Sequence, residues 1–188
     1  ESAAIDSRNW EKQTVEVGKK HPIEWIDMAD VTSPKDDLRY RGFEAGAARF
    51  ARGEGMWYSN GQVFFACTNG GKAQTGQIWR LVPKKFGSSE AETVELYIEP
   101  NNASILQAAD NMTVSPWGDI VICEDHDKDA RIMGISPNGR LYPLAQNHLN
   151  SEFAGVTFSP DGSTLFVNVQ ARNMTLAITG PWGQRATS

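Results

Sequence analysis

Six residues have the types and spacing to do chemistry together: Arg52, Glu54, Asp110, Asn111, Glu124 and Asp125. Carboxylates and amides are the oxygen donors that hard cations such as Ca²⁺ take, and such donors suit calcium, magnesium or manganese alike. Arg52 and Glu54 stand two apart in Arg52-Gly53-Glu54-Gly55, and side chains two apart on an extended backbone point the same way. A phosphate oxygen on a metal held by Glu54 would then be within reach of the Arg52 guanidinium, whose planar fork holds two phosphate oxygens at once. The chemistry this combination offers is a metal held by oxygen donors beside an anion-holding arginine, and such a metal can clamp a phosphoryl group, offset its charge and activate water. Two plainer readings stand beside it. Glu54 ahead of a strand is also a solvated carboxylate, and Glu124-Asp125-His126-Asp127-Lys128-Asp129 is also a charged hairpin loop.

The elements that must position these residues are hairpins. Met56-Trp57-Tyr58-Ser59, an Asn60-Gly61 turn and Gln62-Val63-Phe64-Phe65-Ala66-Cys67 read as two antiparallel strands, because Asn-Gly supplies the two φ > 0 positions of a tight turn. The arrangement returns with Ser115-Pro116-Trp117-Gly118 and Ser159-Pro160-Asp161-Gly162, and a further Ser-Pro-x-Gly turn spans Ser136 to Gly139. Glu54, Asn111 and Gly155 each stand seven residues ahead of a turn glycine, which assigns them one structural position in three copies. Short strands repeating over a few tens of residues imply an all-β fold, a β-propeller of four-stranded antiparallel blades. The alternative is a β-sandwich of evenly spaced hairpins, which gives no reason for the turn to return in phase. The first blade is expected over 54–98, with strands near 55–59, 62–67, 76–82 and 93–98. The second covers 111–144, and the third starts at Phe153 with strands near 155–158, 164–169 and 174–178.

At ~40–45 residues per blade, the 188 residues hold about three blades after a loop-like start. Closed propellers have about four to eight, so the chain reads as the C-terminal part of a longer protein or as one needing blades from a partner. Residues 1–50 read as an N-terminal extended segment of the same domain with a short strand and helix, and 51–188 as the C-terminal blades of an incomplete propeller. Within the first part, His21-Pro22-Ile23-Glu24-Trp25-Ile26-Asp27-Met28 suits a short edge strand opened by proline. A helix is expected over 42–51, with Phe43, Ala47 and Phe50 on one face, and 83–90 is expected to be a solvated connection.

Composition is that of an ordinary globular protein, 40% hydrophobic and 22% charged. A net charge of −5 argues against a nucleic-acid surface. No apolar run approaches the ~18 residues of a membrane span, and Glu1-Ser2-Ala3-Ala4 carries no signal region. Cys67 and Cys123 lack zinc-ligand spacing and read as buried free thiols rather than a disulfide. His21, His126 and His148 are scattered through loops and form no catalytic arrangement, and Trp57, Trp79 and Trp117 read as blade packing.

Several segments together carry a resemblance. They are Ala51-Arg52-Gly53-Glu54-Gly55-Met56-Trp57, Phe65-Ala66-Cys67-Thr68-Asn69-Gly70-Gly71, Asp110-Asn111-Met112 with Cys123-Glu124-Asp125, Glu152-Phe153-Ala154-Gly155-Val156 and Thr179-Gly180-Pro181-Trp182. From Trp25 to Trp182 the chain resembles the C-terminal half of the PhoX-type alkaline phosphatases. The resemblance implies a complete six-bladed propeller with a calcium and iron cluster, hydrolysing small-molecule phosphate esters in the periplasm or after secretion, usually following twin-arginine export. It gives Arg52 the substrate phosphate, gives Glu54 the metals, and makes Glu124 and Asp125 a second acidic site. The family's N-terminal half, with further metal ligands including a cysteine in a glycine-rich loop, has no counterpart here. The remaining blades would come from a longer polypeptide, a second fragment or a symmetry mate.

Two other functions stay open from the residues. Gluconolactonase and senescence-marker propellers also use a Glu before a strand, an in-phase Asn and a Ser-Pro-Asp-Gly turn around one divalent metal, although Arg52 and the Gly-Pro-Trp ending favour the phosphatase. A non-catalytic propeller segment acting as a binding module is the third reading.

Overall fold

The structure is a computed structural model that describes residues 5–84 and 87–182; Lys85 and Phe86 of the expected 83–90 connection lie outside the described residues, as do 1–4 and 183–188. The chain begins with the short strand β1 (Lys20–Pro22) and the helix α1 (Leu38–Glu44). A first meander follows, β2 (Gly53–Ser59), β3 (Gln62–Cys67), β4 (Gln77–Val82) and β5 (Thr93–Ile98). A second is β6 (Ala109–Val114), β7 (Ile120–Glu124), β8 (Arg131–Ile135) and β9 (Leu141–Gln146). The third is β10 (Phe153–Phe158), β11 (Thr164–Val169) and β12 (Met174–Thr179). All pairings between these strands are antiparallel, and the sheet orders are β1-β5-β4-β3-β2, β6-β7-β8-β9 and β10-β11-β12.

The sheets stack face to face through two apolar cores. Ala66 and Ile78 of the first sheet meet Met112, Ile120, Ile122 and Ile135 of the second. On the other face of the second sheet, Val121, Cys123 and Ile132 meet Phe153, Val156, Leu165 and Val167 of the third. The middle strand β7 is therefore buried along its whole length, and the continuous run Ile120-Val121-Ile122-Cys123 is the pattern expected of a strand covered on both faces. These are the successive blades of a propeller-like all-β architecture. The outer face of the first sheet is covered by the N-terminal segment. Val15 joins Cys67, Trp79 and Leu96 there, and the Phe50 ring stands edge-on to Phe65 and Trp79 at 5.3 and 5.0 Å.

The innermost strands β2, β6 and β10 lie side by side with β6 in the middle. A Cβ on Gly55 would fall on the Asp110 carbonyl oxygen, 2.7 Å from Asn111 Cα and 2.8 Å from Met112 N. On the opposite side the Gly155 N–H donates to Asn111 Oδ1 at 2.7 Å. Each inner strand also bulges at one level. Glu54 and Gly55 together oppose Ala66, Asp110 and Asn111 oppose Cys123, and Gly155 and Val156 oppose Val167. The bulge aligns Glu54 with Asp110 and Gly155. Counting seven back from the turn glycine aligns Glu54 with Asn111 instead, because the second hairpin holds one more residue between bulge and glycine.

The N-terminal expectations need correction. The strand expected over His21–Met28 is only Lys20–Pro22 and ends on its proline, although it does form the edge of the first sheet. The helix lies at Leu38–Glu44 rather than 42–51. It starts early because Ser33 Oγ accepts the Asp37 and Leu38 N–H groups at 3.0 and 2.9 Å, and Gly46 at φ +97° turns the chain away just past its end. Phe50 consequently packs on the sheet and not on a helical face.

Gly55→Ala should force β2 off β6 and lower stability by about 1–3 kcal/mol, the usual cost of overpacking. Gly53→Ala, whose added Cβ meets nothing within 4 Å, should shift the urea midpoint far less. Equal midpoints for the two variants would show that the inner strands are not packed in this way.

Candidate active site

Arg52 enters β2 through a left-handed backbone, φ +46°, and Ala108 enters β6 the same way at φ +51°. Such a conformation is uncommon for residues other than glycine and persists where the surroundings fix it. Here a hydrogen bond from the returning strand does so: Thr68 N–H donates to the Arg52 carbonyl at 3.0 Å, and Asp125 N–H to the Ala108 carbonyl at 2.8 Å. The shared kink places Arg52 and Asp125 at one rim, where the inner strands begin and the second strands end.

There the Arg52 guanidinium lies 3.2 Å from Asp125 Oδ2 and 3.7 Å from Glu54 Oε1. Asp110, one blade over from Glu54, has its carboxyl pushed up to about 6 by burial and then by the charges of Glu54 and Asp125. Glu152, just ahead of β10, shares a hydrogen bond with Asp125; that bond, burial and the neighbouring carboxylates push Glu152 up to about 7. The same bond, followed by the Arg52 guanidinium, holds Asp125 below the usual carboxylate range. Arg52, Glu54, Asp110, Asp125 and Glu152 thus form one electrostatic group drawn from three successive sheets. Glu152 was not among the six residues singled out by type and spacing. Its signal is that it directly precedes the third inner strand, much as Arg52 directly precedes the first.

Two expected ligands are engaged elsewhere. Glu124 is 0% exposed, and both its oxygens are taken. Arg131 binds them through Nη2 at 2.5 Å and Nε at 2.7 Å, the Gln107 and Arg131 N–H groups donate at 2.8 and 3.1 Å, and His126 Nε2 lies at 3.3 Å. Glu124 therefore locks β7 to β8 and does not join Asp125 as a second acidic site. Asn111 Oδ1 receives the Gly155 N–H, so its amide clamps β6 to β10 instead of standing free as a donor.

The oxygen donors gathered at the rim suit calcium in kind, since crowded carboxylates are what a hard cation relieves. They are not drawn around one point: among the described residues no three His, Cys, Asp or Glu side chains form a group that could hold a metal ion. The thiols do not fit iron. Cys67 and Cys123 are free and buried, and burial pushes both up to about 12, far from the reactive thiolate that binds metals.

Removing one partner of a buried ion pair leaves the other uncompensated, so Glu124→Ala should cost about 3–5 kcal/mol. Arg52→Ala breaks only exposed contacts and should cost at most about 1 kcal/mol; urea denaturation of the two variants measures both. The native carboxyls of Asp110 and Glu152 keep protons that the unfolded chain has lost between their ordinary values of 3.8 and 4.5 and about 6 and about 7. Stability from this group should therefore fall as pH rises through that window. Glu152→Gln should flatten the pH dependence of Tm, and an unchanged profile would exclude Glu152 from the group.

Among the described residues no helix is long and apolar enough to cross a membrane. A comparison with curated proteins finds no match. The family described as alkaline phosphatase PhoX matches residues 6–172, a span that includes all three sheets up to the β11–β12 connection and every residue of the charged rim. The chain belongs to the PhoX alkaline phosphatase family.

Proposed function

We propose that the chain is the C-terminal part of a calcium-dependent phosphomonoesterase whose site lies at the rim where β2, β6 and β10 begin. The observation that carries this reading is the Arg52 guanidinium standing between Glu54 and Asp125, in a chain that matches a phosphatase family. Glu54, Asp110, Asp125 and Glu152 would hold calcium, with further ligands from blades outside this chain. A bound divalent cation supplies Lewis-acid stabilisation of the phosphoryl group and an activated water. Arg52 presents two N–H groups to the non-bridging oxygens and fixes the ester's orientation as charge builds on them. The left-handed backbone at Arg52 aims this side chain, and Asp125 steers the guanidinium from the side. Iron, an extracytoplasmic location and twin-arginine export rest on the family alone. The lactonase reading gains nothing from the structure, since the in-phase Asn111 it requires is a strand clamp.

The test is kcat/KM on a chromogenic phosphomonoester, with metal content by elemental analysis, in the full-length protein. Glu54→Gln should lower both. Arg52→Ala should keep its metal and lose on the order of 10²–10³ in rate, the scale of one preorganised electrostatic donor, and Arg52→Lys should recover only part because an ammonium lacks the fork. Full metal content and activity in Glu54→Gln would place the site elsewhere. The intact mass of the native protein should exceed that of the 188 residues.

A further inference from the structure

We propose that the cavity at the turn end of the inner strands binds one neutral sugar ring, held against the indole of Trp57. The site is separate from the charged rim and does not rest on the phosphatase reading. All three sheets contribute to it: Trp57 stands on β2 ahead of the Asn60-Gly61 turn, Thr113 near the end of β6, and Phe158 at the end of β10. The cavity measures about 320 Å³, the small end of ligand pockets, and suits a single ring. Its wall is already fixed. Pro116 packs on the facing turn, where a Cβ on Gly162 would come within 2.5 Å of the proline ring. Phe158 is held edge-on by Trp117 and Trp182 at 5.4 and 6.1 Å, and those two indoles stack on each other. Trp57, by contrast, is 38% exposed and makes no ring contact among the described residues.

The polar groups on this wall are unused. Thr113 is 1% exposed, and neither its hydroxyl, nor that of Thr157, nor the Trp57 indole N–H has a hydrogen bond among the described residues. Asp161 shapes its turn through one oxygen alone: Oδ1 accepts from Ser159 Oγ, Ser163 N and Ser163 Oγ at 2.5, 3.0 and 2.8 Å. Those bonds, that from Ser159 first, hold its carboxyl down to about 2, so Oδ2 remains a charged acceptor. A sugar ring answers each of these groups, with a C–H face for the indole and hydroxyls for Thr113, Thr157 and Asp161. Other occupants answer fewer of them. No lysine or arginine lines the cavity and a carboxylate does, which turns phosphate away. A methylated ammonium would find Trp57 and Asp161, but it makes no hydrogen bonds and would leave the buried Thr113 hydroxyl unpaired, which is costly.

Saturation-transfer NMR on the full chain with methyl glucoside tests this without any turnover, and choline chloride serves as the cationic probe. The glucoside should bind with a Kd on the order of millimolar, the scale of one small ring, and choline should not displace it. Trp57→Ala should abolish the transfer. Thr113→Val, which removes the hydroxyl and keeps the shape of the side chain, should weaken binding about two- to tenfold, the range of one hydrogen bond. Arg52→Ala should bind the glucoside as the wild type does, since the rim lies at the other end of the inner strands. Absence of glucoside binding by the wild-type chain would overturn the inference, as would undiminished binding by Trp57→Ala or Thr113→Val, displacement by choline, or loss of binding in Arg52→Ala. Each of these results leaves the phosphatase reading intact.

Discussion

The absence of room between β2 and β6 is the constraint on which the rest depends. With no side chain at Gly55, the bulge of one inner strand lies directly on the backbone of the next, and the Asn111 amide repeats the join to β10 by accepting the Gly155 N–H. Bulges twist and re-aim the strand that carries them. Because three neighbouring strands bulge at one level, their re-aimed side chains collect at one rim. Glu54 and Asp110 are the bulge residues themselves, and Asp125 follows from the strand that closes the same bulge. A tight backbone contact between blades is therefore what brings charges from separate sheets together.

That rim and the blade interior use charge in opposite ways. Both oxygens of Glu124 are engaged, chiefly by Arg131, an arrangement worth little as net stability but costly to break. Adjacent in sequence, Asp125 turns to the other face of its strand and meets an exposed guanidinium at longer range. A step of one residue thus separates a buried ion pair from an exposed one. Burial comes first in raising Asp110 and the hydrogen bond with Asp125 first in raising Glu152, and the neighbouring carboxylates add to both.

The hairpins were legible because each carries both signals at once, alternating apolar residues and a turn that demands glycine. Asn60 and Gly61 adopt φ +48° and +78°, as the dipeptide requires; the strands of the first and third blades fall close to their expected spans, and the second sheet runs from Ala109 to Gln146 against an expected 111–144. The first fifty residues were not legible, because their structure is set by long-range partners. Phe50 is placed by Trp79, and the start of α1 by a serine hydroxyl ahead of a proline. At the site, Arg52, Glu54, Asp110 and Asp125 stood out by type and spacing. Glu124 misled because its partner Arg131 arrives only after a hairpin, and Asn111 because one extra residue in its hairpin shifts the count by one. Bulges leave no mark in a single sequence unless the turn lengths agree.

The distribution of the rim charges bears on what the chain does. The first sheet contributes Arg52 and Glu54, the second Asp110 and Asp125, and the segment entering the third Glu152. No sheet alone holds the arginine together with more than one of these carboxylates. The group is held together by the hydrogen bond that Glu152 and Asp125 share and by the Arg52 guanidinium between Asp125 and Glu54. Burial and neighbouring charge at Asp110 follow from backbone contacts as close as those at Gly55, so the contact between β2 and β6 and the electrostatics of the rim have one origin. The match to the PhoX alkaline phosphatase family covers every residue of this group, so the joined inner strands and the charges they collect lie together within the family's span.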